Sequence, residues 1–169
     1  VPLLGVDGLA DLTAWLEETR QPQTVLADLQ AQLAANHHAA QALMALGPAA
    51  LISTWMGHLR DVARESVERL VPTLELGQAK ETLDTTWLAC DLSRRGNILH
   101  VDFSGCGPPH PGNLNAPSAV LRAAVLYVLR VLVGESIPLN DGALDAVSLT
   151  VAEETVVSPP SGRAVAGGN

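Results

Sequence analysis

The run from Gly112 to Gly142, GNLNAPSAVLRAAVLYVLRVLVGESIPLNDG, constrains this chain more than any other part of it. It opens on a Gly/Asn/Pro turn, passes through an almost wholly apolar helix and closes on a Pro-Leu-Asn-Asp-Gly turn. Asparagine amides at both ends of a core helix need hydrogen-bond partners wherever water is excluded. The pattern therefore marks either a positioned site or a demanding junction. Within the helix, predicted over residues 117–133, the only charged positions are Arg122 and Arg130. Most of its circumference is expected to be buried.

The 169 residues suffice for one domain with a sizeable core, and 47% of them are apolar, which excludes a disordered chain. Only 3% are aromatic, so Leu, Val and Ala must fill that core. A formal net charge of -8 argues against nucleic acid and anionic membrane surfaces as partners. Two cysteines, Cys90 and Cys106, are too few for a disulfide framework and fit a reducing compartment. The apolar stretch Ala119–Val133 is too short and too charged to span a bilayer, and no secretory leader is visible. A soluble cytoplasmic protein is the expectation. The start at Val1 and the ending AVAGGN read as cut ends, so the chain is expected to be an internal fragment of a longer polypeptide.

Residues 7–18 predict a short helix. From Pro22, suited to a first helical turn, the positions Leu26, Leu29, Leu33, Asn36, Ala40 and Leu43 trace a narrow amphipathic seam. Asn36 reads either as a register-fixing seam residue or as a partly exposed edge position. Gly47-Pro48 breaks the pattern. A second helix follows to Leu70, with Ile52, Trp55, Leu59, Val62 and Leu70 on one face, and Pro72 ends it. The short link predicts a long antiparallel helical hairpin. Residues 73–84 read as loop. Thereafter the period falls to two: Trp87–Leu92 and Ile98–Phe103 predict a hairpin around Ser-Arg-Arg-Gly-Asn, with His100 and Asp102 on one face. A last strand is expected over Val147–Val151. The fold class is α+β. A helical segment spans 1–72. An α+β segment spans 73–169 and is truncated at its C-terminus; in it a small, mainly antiparallel sheet packs on one buried helix.

Several constellations could carry chemistry. The loop Gly105–Asn115, GCGPPHPGNLN, lies between a strand and a helix, but its spacing is not GxGxxG. Pro108, Pro109 and Pro111 remove N–H donors that a phosphate cradle would use, so a stiff structural loop is expected. Asp102, Ser104, Cys106 and His110 crowd into nine residues. Covalent catalysis usually draws its groups from separate elements, so Asp102 and Ser104 are expected to cap the turn ending the strand. His37, His38 and His58 lack ligand spacing, and His100 with Asp102 makes half a metal site. No metal site is expected. Asn113, Asn115 and Asn140 are the substrate-binding candidates, since an amide both donates and accepts, as a cyclic amide or carboxylate requires. Against this, Asn115 is placed to cap the helix beginning near Pro117, and Asn140-Asp141-Gly142 is a turn signature.

Asp102–Gly105, Gly112–Pro117, Tyr127–Arg130 and Ile137–Gly142 together resemble the hydantoinase B/5-oxoprolinase family. So do VLADLQAQLAAN from Val25, WMGHLRDVAR from Trp55 and the ending AVAGGN. The resemblance covers nearly the whole chain from Thr24. It implies ATP-dependent hydrolysis of a cyclic amide, either 5-oxoproline to glutamate or a hydantoin to its open form, with 5-oxoproline favoured. A related ATP-dependent ketone carboxylase, or a non-catalytic scaffold or subunit-interface segment, is the alternative. It further implies a hydantoinase A-like ATP-binding domain or subunit as partner, a homo-oligomeric complete enzyme, and ATP with Mg and a divalent metal bound outside this segment. The isolated segment is then expected to be inactive. Cys106 stands where the family commonly carries Thr or another small residue, so it is not assigned as nucleophile, and no catalytic residue is assigned here.

Overall fold

The computed structural model describes residue 12 and residues 16–134 and 140–167. The expected helix over 7–18 falls largely outside the described residues, as does the Ile137–Leu139 part of the second turn. Helix α1 is Pro22–Leu46, α2 is Ala49–Leu70 and α3 is Ser118–Val133. Strands β1 Gly77–Leu83, β2 Thr86–Arg95, β3 Ile98–Asp102 and β4 Val147–Thr150 form one sheet in that order. Helices followed by a small mixed sheet make the fold α+β, as the change of period predicts. Among the described residues no single helix is long and apolar enough to cross a membrane.

The chain divides into two compact units, 1–54 and 55–169. The second half of α2 enters the core of the second unit through Ala63 and Val67, and Val71, just past the helix end, joins them. In the first unit Pro22 occupies the first turn of α1 and Gly47, at φ +147°, ends it. None of α1's residues is buried, and Asn36 is exposed, which favours the edge reading over the register one.

In the second unit β1–β2 and β2–β3 are antiparallel and β3–β4 is parallel. A parallel pair needs a crossover, and α3 lies in that crossover. The inward residues Leu99 and Val101 meet Leu129, Ala143, Ala146 and the α2 residues in one cluster. Val67 and Val71 are fully buried, each contributing about 1.5–3 kcal/mol.

Two expectations change. Residues 77–83 form strand β1 rather than loop. Its six leading residues are exposed, so no alternation marks it, and only pairing with β2 makes it a strand. The helix α3 buries Leu121 and Leu129, while Tyr127, Val128, Val131 and Leu132 stay exposed. It is covered on one face by the sheet and not around most of its circumference, because a four-stranded sheet presents only one layer to it.

Candidate functional site: the asparagine turns and the polar face of the sheet

The loop between β3 and α3 is held by its own polar groups. Asp102 Oδ1 accepts from Ser104 N–H at 2.7 Å, closing the turn that ends β3 as expected. Hydrogen bonds from Ser104 hold the Asp102 carboxyl below the usual carboxylate range. Cys106 is buried; its Sγ lies 3.3 Å from both Ala89 N and Ala89 O. It plugs the sheet rather than facing a ligand. Burial pushes the Cys90 thiol up, away from the thiolate form.

The test of this loop as a phosphate cradle is where its N–H groups point. Cys106 N–H donates to Phe103 O, Gly107 to Trp87 O, His110 to Asn115 Oδ1 and Gly112 to His110 Nδ1. Three more positions are prolines. These four donors are committed to the fold, and with the three prolines they leave a poor cradle for a nucleotide phosphate.

Asn115 does not cap α3. The cap position is Pro117, and no side chain bonds the helix start. Asn115 is instead fully buried. Its Oδ1 accepts from His110 N–H at 2.7 Å, and its Nδ2 donates to His110 O at 3.0 Å, Gly112 O at 3.3 Å and Ala164 O at 3.0 Å. The amide thereby ties the loop to the segment 164–167, which also pairs through Ala166 N–H to Asn113 O and Gly167 N–H to Asn115 O. An amide so committed offers nothing to a ligand. Asn113, two residues earlier, is exposed, with its carbonyl fixed by Ala166.

His110 is the second buried polar group of the loop. Its Nδ1 accepts from Gly112 N–H at 2.9 Å, so Nε2 carries the proton facing Asp84 Oδ2 at 2.7 Å. Asp84 sits in the β1–β2 turn at φ +52°. The hydrogen bond from His110 holds the Asp84 carboxyl below the usual range. A depressed carboxylate stabilises the fold above its unfolded pKa, and that contribution is lost as pH falls through the folded value. Asp84→Asn is therefore less stable than the parent near neutrality. The gap in urea midpoint narrows as pH drops below about 4; a gap unchanged from pH 6 to pH 2 would show that the pair does not titrate this way.

Asn140 lies elsewhere. Its Oδ1 accepts from Gly142 N–H at 2.8 Å, and its Nδ2 donates to Leu59 O at 3.1 Å, so it makes the expected turn and pins it to α2. Arg60 grips Asp145 through two bonds of 2.6 Å, and that pairing lowers the Asp145 pKa. Asn140, Asp141 and Gly142 line a cleft of about 510 Å³ with Met56, Leu59 and Arg60. No residue of the 105–117 loop lines it. The structure thus brings Asn113 and Asn115 together and leaves Asn140 in a separate cleft.

Sequence reasoning missed a third feature, the polar face of the sheet. Strand register sets Gln78 beside Asp91, Asp91 beside Asp102 and Asp102 beside Thr150 in one row. Gln78 bonds Asp91, which offsets the repulsion of two facing carboxylates. Gln78, Asp91 and Asp102 line a cleft of about 400 Å³ with Lys80 and Ser104. The signal in the sequence was the outward pair His100 and Asp102; the partner Asp91 needs the register. Among the described residues no group of three or more His, Cys, Asp or Glu could hold a metal ion.

Comparison with known proteins agrees with the motifs. Residues 7–169 match the hydantoinase B/oxoprolinase family. 5-Oxoprolinase 1 of Arabidopsis thaliana is 32% identical across 100% of this chain and 15% of its own length. The 5-oxoprolinase of Saccharomyces cerevisiae is 34% identical over 85% of this chain and 12% of its own length. That of Dictyostelium discoideum is 28% identical over 90% of this chain and 13% of its own. The chain therefore spans 12% to 15% of the length of these relatives. With the strand-end Asp-Phe-Ser-Gly turn and the Gly-Asn-Leu-Asn-Ala-Pro turn both formed, this chain belongs to the hydantoinase B/oxoprolinase family.

Proposed function

We propose that this chain serves as a segment of an ATP-dependent cyclic-amide hydrolase that opens 5-oxoproline to glutamate, with hydantoin ring opening as the variant reaction. The observation that carries this reading is the family match across residues 7–169, joined to relatives named 5-oxoprolinase at 32% and 34% identity. A hydantoinase A-like domain or subunit supplies ATP binding, and the complete enzyme is a homo-oligomer. A lactam resists water, so its opening needs the amide oxygen activated, and ATP with Mg supplies that activation when bound. No part of that step is given to this chain, whose loop N–H groups at Cys106, Gly107, His110 and Gly112 are already bonded. Asn113 is the residue of this segment that faces substrate. Its exposed amide can donate to a carboxylate or accept from a ring N–H, and Asn115 positions it from below.

A second reading, that the segment is scaffold or subunit interface only, is favoured by the commitment of the Asn115 and Asn140 amides to backbone partners. Asn113→Ala in the longer polypeptide separates the two. The hydrolase reading expects ring-opening kcat/KM to fall about tenfold or more with an unchanged melting temperature. Parental turnover in a normally folded variant removes Asn113 from the site and leaves the scaffold reading.

A further inference from the structure

The outward face of α3 is made for contact. At 3.6 residues per turn, Ala123, Tyr127 and Val131 fall opposite the inward Leu121 and Leu129, while Ala124, Val128 and Leu132 fall on the flank that runs back toward Leu121; all six are exposed. Tyr127 is 68% exposed and Val131 60%. The exposed Arg122 and Arg130 hold the other flank, and a helix this apolar around the rest of its circumference is a core helix. The six residues form two rows, Ala123–Tyr127–Val131 and Ala124–Val128–Leu132, with the i, i+4 spacing of ridges that pack into a neighbouring helix. The paired alanines let that neighbour's backbone come close. Beside the rows, Val128 and Leu132 border an open apolar groove of about 470 Å³ that also takes in Leu74, Leu92 and Phe103.

We propose that this face is covered by an apolar helix contributed by the rest of the same, longer polypeptide. The inference rests on the reading that the chain works within an oxoprolinase-length enzyme. Its support is that the relatives matched over 85% to 100% of this chain devote only 12% to 15% of their length to this segment, so most of such a polypeptide is free to supply the cover. The two rows and the groove call for aliphatic side chains at helical spacing, not for a charged or nucleic-acid partner.

The test is thiol labelling in the longer polypeptide. Val131→Cys is compared with Ser93→Cys on the exposed polar face, after subtracting the parent's own cysteines. The expected result is maleimide labelling at Cys-substituted position 131 at least about 50-fold slower than at position 93, at every protein concentration. Rates within about threefold of each other overturn the proposal. Protection that disappears on dilution, in step with dissociation seen by light scattering, also overturns it and assigns the face to a second copy. Ring opening is assayed on the same preparation. Protection without ring opening sinks the functional reading and keeps the interface, whereas ring opening with fast labelling does the reverse.

Discussion

Asn115→Ala lowers folding stability by about 3–5 kcal/mol. The side chain is fully buried and its amide makes four hydrogen bonds. Alanine removes all four at once and strands the His110 N–H and the carbonyls of His110, Gly112 and Ala164. A buried group left without a partner costs about 1–3 kcal/mol, and partial relaxation of the loop keeps the total below the sum. The urea midpoint reads the effect directly. Asn115→Asp is the informative companion: it can still accept from His110 but cannot donate, and its charge is placed against three carbonyl oxygens. It should be destabilised as well. A loss below about 1 kcal/mol for both variants would mean that the loop stands without this amide.

Gly142→Ala costs about 2–3 kcal/mol by overpacking. A Cβ at this position would run into the Arg60 backbone carbonyl, and the next nearest atoms include Asn140 Oδ1 at 2.7 Å. The nearest clash is with backbone, which no side-chain movement relieves, so the turn must lift away from α2. The Asn140 contact to Leu59 O is then stretched too. Gly57→Ala supplies the control, since a Cβ there meets nothing within 4 Å and the position is inside α2. Helix propensity makes that change stabilising by up to about 1 kcal/mol. Opposite signs for two glycines on facing elements are the signature expected in thermal melts, and equal effects would contradict the close approach of the turn to the helix.

The elements that sequence made legible are those with a period. Leu99 and Val101 alternate with His100 and Asp102, and β3 forms with the first pair inward. The breaks at Gly47-Pro48 and Pro72 fall where proline and glycine chemistry puts them. β1 was hidden because GQAKETL has no inward residue until Leu83; its conformation comes from β2, not from itself. The burial of α3 was overestimated because an all-aliphatic sequence states that a helix can be covered, not that these neighbours cover it.

The site followed the same division. Asp102 and Ser104 close a turn, and Asn140-Asp141-Gly142 forms one, because both patterns act within a few residues. Asn115 was assigned to the nearest helix start, yet its partners include Ala164, 49 residues away. No local rule reaches that far. The Asp91–Asp102 pairing was invisible for the same reason, since it depends on strand register. The family motifs therefore identify the chain more sharply than they locate its chemistry. Two of the three asparagines within them turn out to hold backbone in place.

The most direct test of the account is the product balance of the longer polypeptide that carries this segment, supplied with 5-oxoproline, ATP and Mg. The account predicts glutamate and ADP appearing in equal amounts, with neither formed when the other substrate is withheld. ATP consumed without glutamate, or consumed only when a ketone and bicarbonate are present, would contradict it.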